Sequence, residues 1–275
     1  MTNWSSIWAL PRSRPRVPAS ATPTVWAPKS GKWALPTTDR GKARIPGDAR
    51  LSSRHSAIGA SMAYRLRNGL HFCVSEGRTI FFDVPGDRYF ALKPEWDSAF
   101  QKFSQDEKPV PELAELERAR ILIPCDGACA PIRPAAIERA TRDICFKPSS
   151  PFVRYAMRCI LCQLRAIVWL RLSSFEVIIN RLGTRRLATT ANRVEDFIAL
   201  SQAFAATAPL RPRHRHCLSS SIAYVDMVRA SGMAATLVMG VSAQPFSAHC
   251  WVQSGDTVLN DRLENIRPFQ PIFCV

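Results

Sequence analysis

PRHRHCLSSSIAYVDMVRASG (residues 212–232), MAATLVMGV (233–241) and SAHCWVQSGDTVLNDR (247–262) are the part of the chain that decides its reading. Leu218, Ile222, Val225 and Val228 recur at helical spacing, and Gly232 stands where a C′ glycine stops a helix. That frame puts Cys217 in the first turn. The unpaired backbone N–H groups and the positive dipole end there favour a thiolate, as do Arg213 and Arg215. The same amides can receive an oxyanion once a thiolate attacks a carbonyl.

The apolar run 234–241 reads as a buried strand and 247–253 as its partner. With a side-chain period of two, His249 and Trp251 share one face, Cys250 and Val252 the other. A hairpin turn follows at Ser254, Gly255 and Asp256. If all three residues form the loop, Asp261 faces His249. A Ser254-Gly255 loop brings Asn260 there instead, and a Gly255-Asp256 loop turns Asp261 to the wrong face. Asp261 is preferred, because a carboxylate both orients an imidazole and stabilises its protonated form. His214 and His216 compete for the role of base, although support of the thiolate by local cations suits their loop better.

Three helices are expected before this region: 152–172, 175–186, and one from about residue 192 that stops before Pro209. The first is expected to be largely buried with one solvated stripe of Arg154, Arg158 and Arg165. Strands at 70–75, 79–84 and 88–92, then helices at 94–103 and 111–120, form a small module beginning near Met62. Residues 126–150 read as a linker. Residues 1–61, rich in Pro, Ser, Thr, Ala and Arg, read as a disordered tail or an over-extended gene start.

The chain of 275 residues is 47% hydrophobic and carries a formal charge of +15, enough apolar content for packed cores. Ten Lys/Arg against two acids in residues 1–60 account for about half of that charge. No helix-turn-helix, zinc-finger or RNP pattern accompanies it, so specific nucleic-acid readout is not expected. Nine cysteines without a paired framework suggest reduced thiols and a cytoplasmic location. Cys125-x3-Cys129 and Cys159-x2-Cys162 lack the second pair of a zinc ribbon and read as packing residues, so no metal is expected. The most apolar window is broken by Arg165 and Arg171, which argues against a membrane span.

The order Cys217-Leu218, Ala235 to Val241, Ala248-His249-Cys250-Trp251-Val252 and Asp261 resembles the lasso-peptide B proteins, whose core is transglutaminase-like. The strand and helix order of 62–125 is similar to the PqqD-like precursor-recognition domains fused to many of them. The resemblance implies an α+β chain: a small winged-helix-like, PqqD-like domain (62–125), a linker (126–150), and a transglutaminase-like or papain-like cysteine peptidase domain (151–275) with helices packed on an antiparallel sheet. It implies a leader peptidase with Cys217 as nucleophile, His249 as base and then acid, and Asp261 as orienter. It further implies that the leader is held by β-augmentation along Arg88, Tyr89, Phe90 and Leu92, against the Leu113 and Leu116 face. The implied partners are a ribosomal precursor peptide and an asparagine-synthetase-like macrolactam cyclase. No cofactor is implied, and whether turnover needs ATP is left open. An acyltransferase using the same triad and a non-catalytic adaptor for the cyclase are the rival readings.

Overall fold

The structure, a computed structural model, describes residues 24–26, 63–106, 112–125, 129–144, 153–184, 194–207 and 217–275. The remainder of the expected tail, and His214 and His216, lie outside the described residues.

The N-terminal sheet has the order β1 (Thr24–Trp26), β5 (Arg88–Ala91), β4 (Arg78–Asp83), β3 (Leu70–Ser75), all antiparallel. A separate ribbon pairs β2 (Ala63–Leu66) with β6 (Leu122–Cys125). Alternation along β3, β4 and β5 sorts their side chains. Phe72, Phe81 and Phe90 face α1 (Pro94–Asp106) and α2 (Leu113–Arg118), in a core with Phe100, Leu113 and Leu116. Cys73, Ile80, Phe82 and Tyr89 face the other way, into the core of the C-terminal half. A sheet buried on both faces needs near-continuous apolar strands, which explains the runs IFF and YFA.

The expected small module therefore meets the C-terminal half through an extensive junction. Phe82 packs on Phe175 and Phe273, His71 on Phe273 at 4.8 Å, and Tyr89 on Phe246 at 5.6 Å. The Ser242 hydroxyl also donates to Glu76 at 3.1 Å. One hydrophobic core runs across both halves.

The second sheet has the order β11 (Gln270–Cys274), β8 (Thr236–Ala243), β9 (Phe246–Ser254), β10 (Thr257–Val258), β7 (Arg142–Asp143). Helices α3 (Val153–Leu172), α4 (Phe175–Thr184), α5 (Val194–Ala206) and α6 (Cys217–Ala230) contribute to the core on one of its faces. On the opposite face Val238, Trp251 and Val258 pack with Ile266 of α7 (Leu263–Ile266), with Ile137 and Ala140 against them. Part of the expected linker is thus built into the domain. β7 pairs parallel with β10, and Arg142 holds Asp256 at 2.8 Å.

Two further expectations are corrected. Cys125 and Cys129 form a disulfide, so the cysteines are not all reduced thiols; closing three residues places the two Cα atoms 6.5 Å apart, within bonding reach. Helix α3 is not largely buried. Cys159, Cys162 and Ala166 enter the core, but Met157, Leu161, Leu164, Val168 and Leu172 form an exposed stripe. An apolar residue in every direction around a helix does not bury it when it packs on one side only. Arg165, expected on a solvated stripe, reaches inward to pair with the buried Asp226 of α6. Among the described residues, no helix is long and apolar enough to cross a membrane.

Candidate active site

Helix α6 is the buried axis of the C-terminal half: every residue from Ser221 to Val228 is buried. A helix enclosed on all sides is held in position and in rotation by its neighbours. Gly232 at φ +81° ends it, with the Met233 amide donating to the Val228 carbonyl at 3.2 Å. Cys217 is its first residue and is partly exposed, so the thiol lies at the rim of the core with the helix dipole behind it.

β9 brings the histidine. His249 sits opposite Gly240 of β8. A Cβ at Gly240 would come within 2.8 Å of the Trp251 ring and 2.9 Å of Phe269 Cβ. Only hydrogen at that position lets both aromatic residues approach, and they flank the imidazole at 6.2 Å and 5.1 Å. The histidine side chain is left 21% exposed, open enough to meet a substrate.

His249 Nε2 lies 2.6 Å from Asp261 Oδ2, and the imidazole also hydrogen-bonds Cys217. With the proton on Nε2 donated to the carboxylate, Nδ1 is the nitrogen left for the sulfur. Burial pulls the histidine's pKa down, but the hydrogen bonds to Asp261 and Cys217 and their charges outweigh it and raise the pKa to about 9. Burial pushes the Asp261 carboxyl up. The imidazole, the Asn265 side-chain amide and the Arg262 backbone amide, each of the latter two at 2.7 Å, bring it below its ordinary value. The aspartate is therefore held ionised and in one orientation.

The route to this contact differs from the expected one. Ser254 pairs with Thr257, so Gly255 and Asp256 form the loop, with Gly255 at φ +55°. That register was expected to send Asp261 to the wrong face. It does not, because β10 ends at Val258 and the parity of the ladder ends with it. The chain bends through Leu259 and Asn260, and Asp261 returns to the imidazole.

Asn260 has a different place. Its Oδ1 accepts from the Val252 amide at 2.7 Å and its Nδ2 donates to Ser221 Oγ at 2.9 Å; that hydroxyl in turn donates to the Cys250 carbonyl at 2.9 Å. The amide thus ties the strand of His249 to the helix of Cys217, one turn past the thiol. Ser221 and Gly240 were not singled out from the sequence. Ser221, at i+4 from Cys217 on the same helix face, carried a signal that could have been read.

The expected peptide-binding residues lie elsewhere. Arg88 is exposed and bonded to Asp83 at 3.0 Å, whereas Tyr89, Phe90 and Leu92 are buried at 3%, 5% and 1% exposure. Leu113 and Leu116 are core residues at 3% and 0%. What β5 presents outward is its backbone edge. Tyr89 does connect the regions: it packs on Phe246, three residues before His249 on β9, a span of about 10 Å along a strand.

Among the described residues, no group of three or more His, Cys, Asp or Glu is arranged to hold a metal. No curated protein and no solved structure matches the chain. Residues 160–274, the segment holding Cys217, His249 and Asp261, match the family model of the Transglutaminase-like superfamily, and this part of the chain is a transglutaminase-like domain.

Proposed function

We propose that the protein is a cysteine peptidase that removes the leader of a ribosomally made lasso-peptide precursor, before an asparagine-synthetase-like cyclase closes the macrolactam. The observation that carries the chemistry is the set Cys217, His249 and Asp261, with the carboxylate 2.6 Å from the imidazole and the thiol hydrogen-bonded to the same ring. Leader capture is supported by β5, whose outer edge accepts an extended strand in antiparallel register.

His249 takes the thiol proton, and the Cys217 sulfur attacks the carbonyl at the leader–core junction. The carbonyl oxygen becomes an oxyanion beside the first-turn amides of α6. The imidazolium gives its proton to the leaving core amine as the C–N bond breaks, leaving the leader as a thioester. Water, deprotonated by His249, attacks the thioester; the leader carboxylate leaves and the thiol is restored. Asp261 stabilises the imidazolium at both stages. A leader held on β5 raises the concentration of the scissile bond near Cys217.

The test is mass analysis after mixing the full chain with the precursor peptide encoded beside its gene. Wild type should release leader and core whose masses sum to the precursor plus one water. Cys217→Ala should still bind the precursor and release neither. Cleavage by that variant at the wild-type rate would refute the peptidase reading, and fragments joined to an added amine would mark acyl transfer instead.

A further inference from the structure

The edge of β5 that the proposed leader would use is already taken. Thr24, Val25 and Trp26 pair antiparallel with Ala91, Phe90 and Tyr89, which makes β1 the outermost strand of the N-terminal sheet. β5 contributes buried side chains inward, so what it offers at this edge is chiefly a row of backbone donors and acceptors. Such a row accepts an extended chain with little regard for its sequence, and two chains cannot occupy it at once.

The occupying segment is suited to a short stay. Thr, Val and Trp favour extended backbone. They lie between Pro23 and Pro28, neither of which has an N–H to extend a ladder. Three residues of pairing are too few to bind firmly from solution. Tethered in the same chain and ending 37 residues before Ala63, they act at an effective concentration on the order of millimolar. Weak intrinsic pairing with a high local concentration describes a placeholder that a better peptide can displace.

We infer that Thr24–Trp26 is a built-in competitor for the peptide-binding edge of β5, which shields that edge when no substrate is present and sets a threshold that an incoming leader must exceed. The inference rests on the proposed leader capture for its biological meaning, but not for its physical content, because occupancy of the edge can be read without any cleavage.

The experiment compares the full-length wild type with full-length Trp26→Pro, which removes the β1 amide placed opposite Tyr89 and with it a bond of the ladder. Val25→Ile serves as the control that keeps strand preference. Backbone hydrogen exchange is followed over residues 86–93, with β4 and α6 as internal references. A fluorescently labelled synthetic peptide of residues 20–30 is titrated by anisotropy. Trp26→Pro should raise exchange at the β5 amides facing β1 about tenfold or more, leave β4 and α6 unchanged, and bind the labelled peptide at least about tenfold more tightly than wild type. Val25→Ile should behave as wild type. Equal β5 exchange in wild type and Trp26→Pro would overturn the inference, as would a labelled peptide that binds both alike. Loss of the peptidase reading in the Cys217→Ala assay would leave these results untouched, so the two ideas fail separately.

Discussion

β5 and β9 are both strands with an edge that matters, and the two edges are treated in opposite ways. On β5 the ladder continues outward by one more strand, contributed by Thr24–Trp26. On β9 the ladder with β8 runs from Phe246 to Gln253, while on the other side the pairing with β10 stops after two residues. There the Asn260 side chain takes over, accepting from the Val252 amide where a neighbouring strand would have done so. Before Cys250 no further strand pairs with that edge among the described residues, and Cys217 and Asp261 reach His249 there. A continued ladder suits the holding of a strand, because successive backbone groups are offered at regular spacing. An interrupted one suits chemistry, because the gap admits side chains from other elements and a substrate carbonyl.

The sharpest way to break the contrast is at Asp261, the residue the interruption delivers. Asp261→Asn should lower kcat/KM by about three orders of magnitude while peptide binding at β5 is retained. The pH profile gives an independent reading. In wild type the imidazolium needed by the leaving amine persists up to about pH 9, so activity should fall above that value. Removing the carboxylate removes the main support for the raised pKa, and the alkaline limb should move down. Stability should follow with the same sign. A histidine whose folded pKa lies above its ordinary 6.5 contributes fully below that pH and loses the contribution as pH rises through about 9. The stability gap between wild type and Asp261→Asn should therefore close over that window, as read by chemical denaturation at a series of pH values.

A smaller effect is expected at Asn260, where the ladder is replaced by a side chain. Asn260→Ala leaves the Val252 amide without its acceptor and deprives Ser221 Oγ of its donor, costing about 1–3 kcal/mol of unfolding free energy. Activity should drop by about tenfold through looser alignment of β9 with α6, and the alkaline limb should stay in place. A downward shift of that limb equal to the one in Asp261→Asn would instead make Asn260 the partner of the imidazole.

The smallest effect belongs to Tyr89, between the two edges. Its hydroxyl is buried and has no hydrogen-bond partner among the described residues, and burial holds its pKa well above the ordinary value. Tyr89→Phe removes that unpaired group and keeps the ring on Phe82 and Phe246, so stability should be unchanged or rise by up to about 1 kcal/mol. A loss greater than that in thermal or chemical unfolding would show that the hydroxyl has a role in holding the two halves together.

Much of the site was legible because its first two members are set by local rules. The helical period from Leu218 to Val228 and the stop at Gly232 place Cys217 at a helix start, and alternation along β9 separates His249 from Cys250. Asp261 was reached through a register that the protein does not use. The hairpin loop is Gly255-Asp256, and the contact survives only because the ladder ends at Val258. Strand termination depends on what competes for the backbone, here Asn260 and the approach of β7, and neither is visible in a window of a few residues. The same limit explains α3. Its apolar residues surround the helix in sequence, but which of them are covered was decided by the position of α6.

By itself, then, the sequence determined the principal helices and the longer strands, the seating of Cys217 and His249, and the aromatic alternation that makes the N-terminal sheet apolar on both faces. These follow from backbone geometry and periodicity, which act over a few residues. Tertiary structure alone decided that the two halves share one core, that Asp261 rather than Asn260 meets the imidazole, and that the edge of β5 is covered by a segment ending 63 residues before its first paired partner. Each of these pairs groups far apart in the chain, and such pairings are selected by competition among all the surfaces and hydrogen-bonding groups that folding brings together.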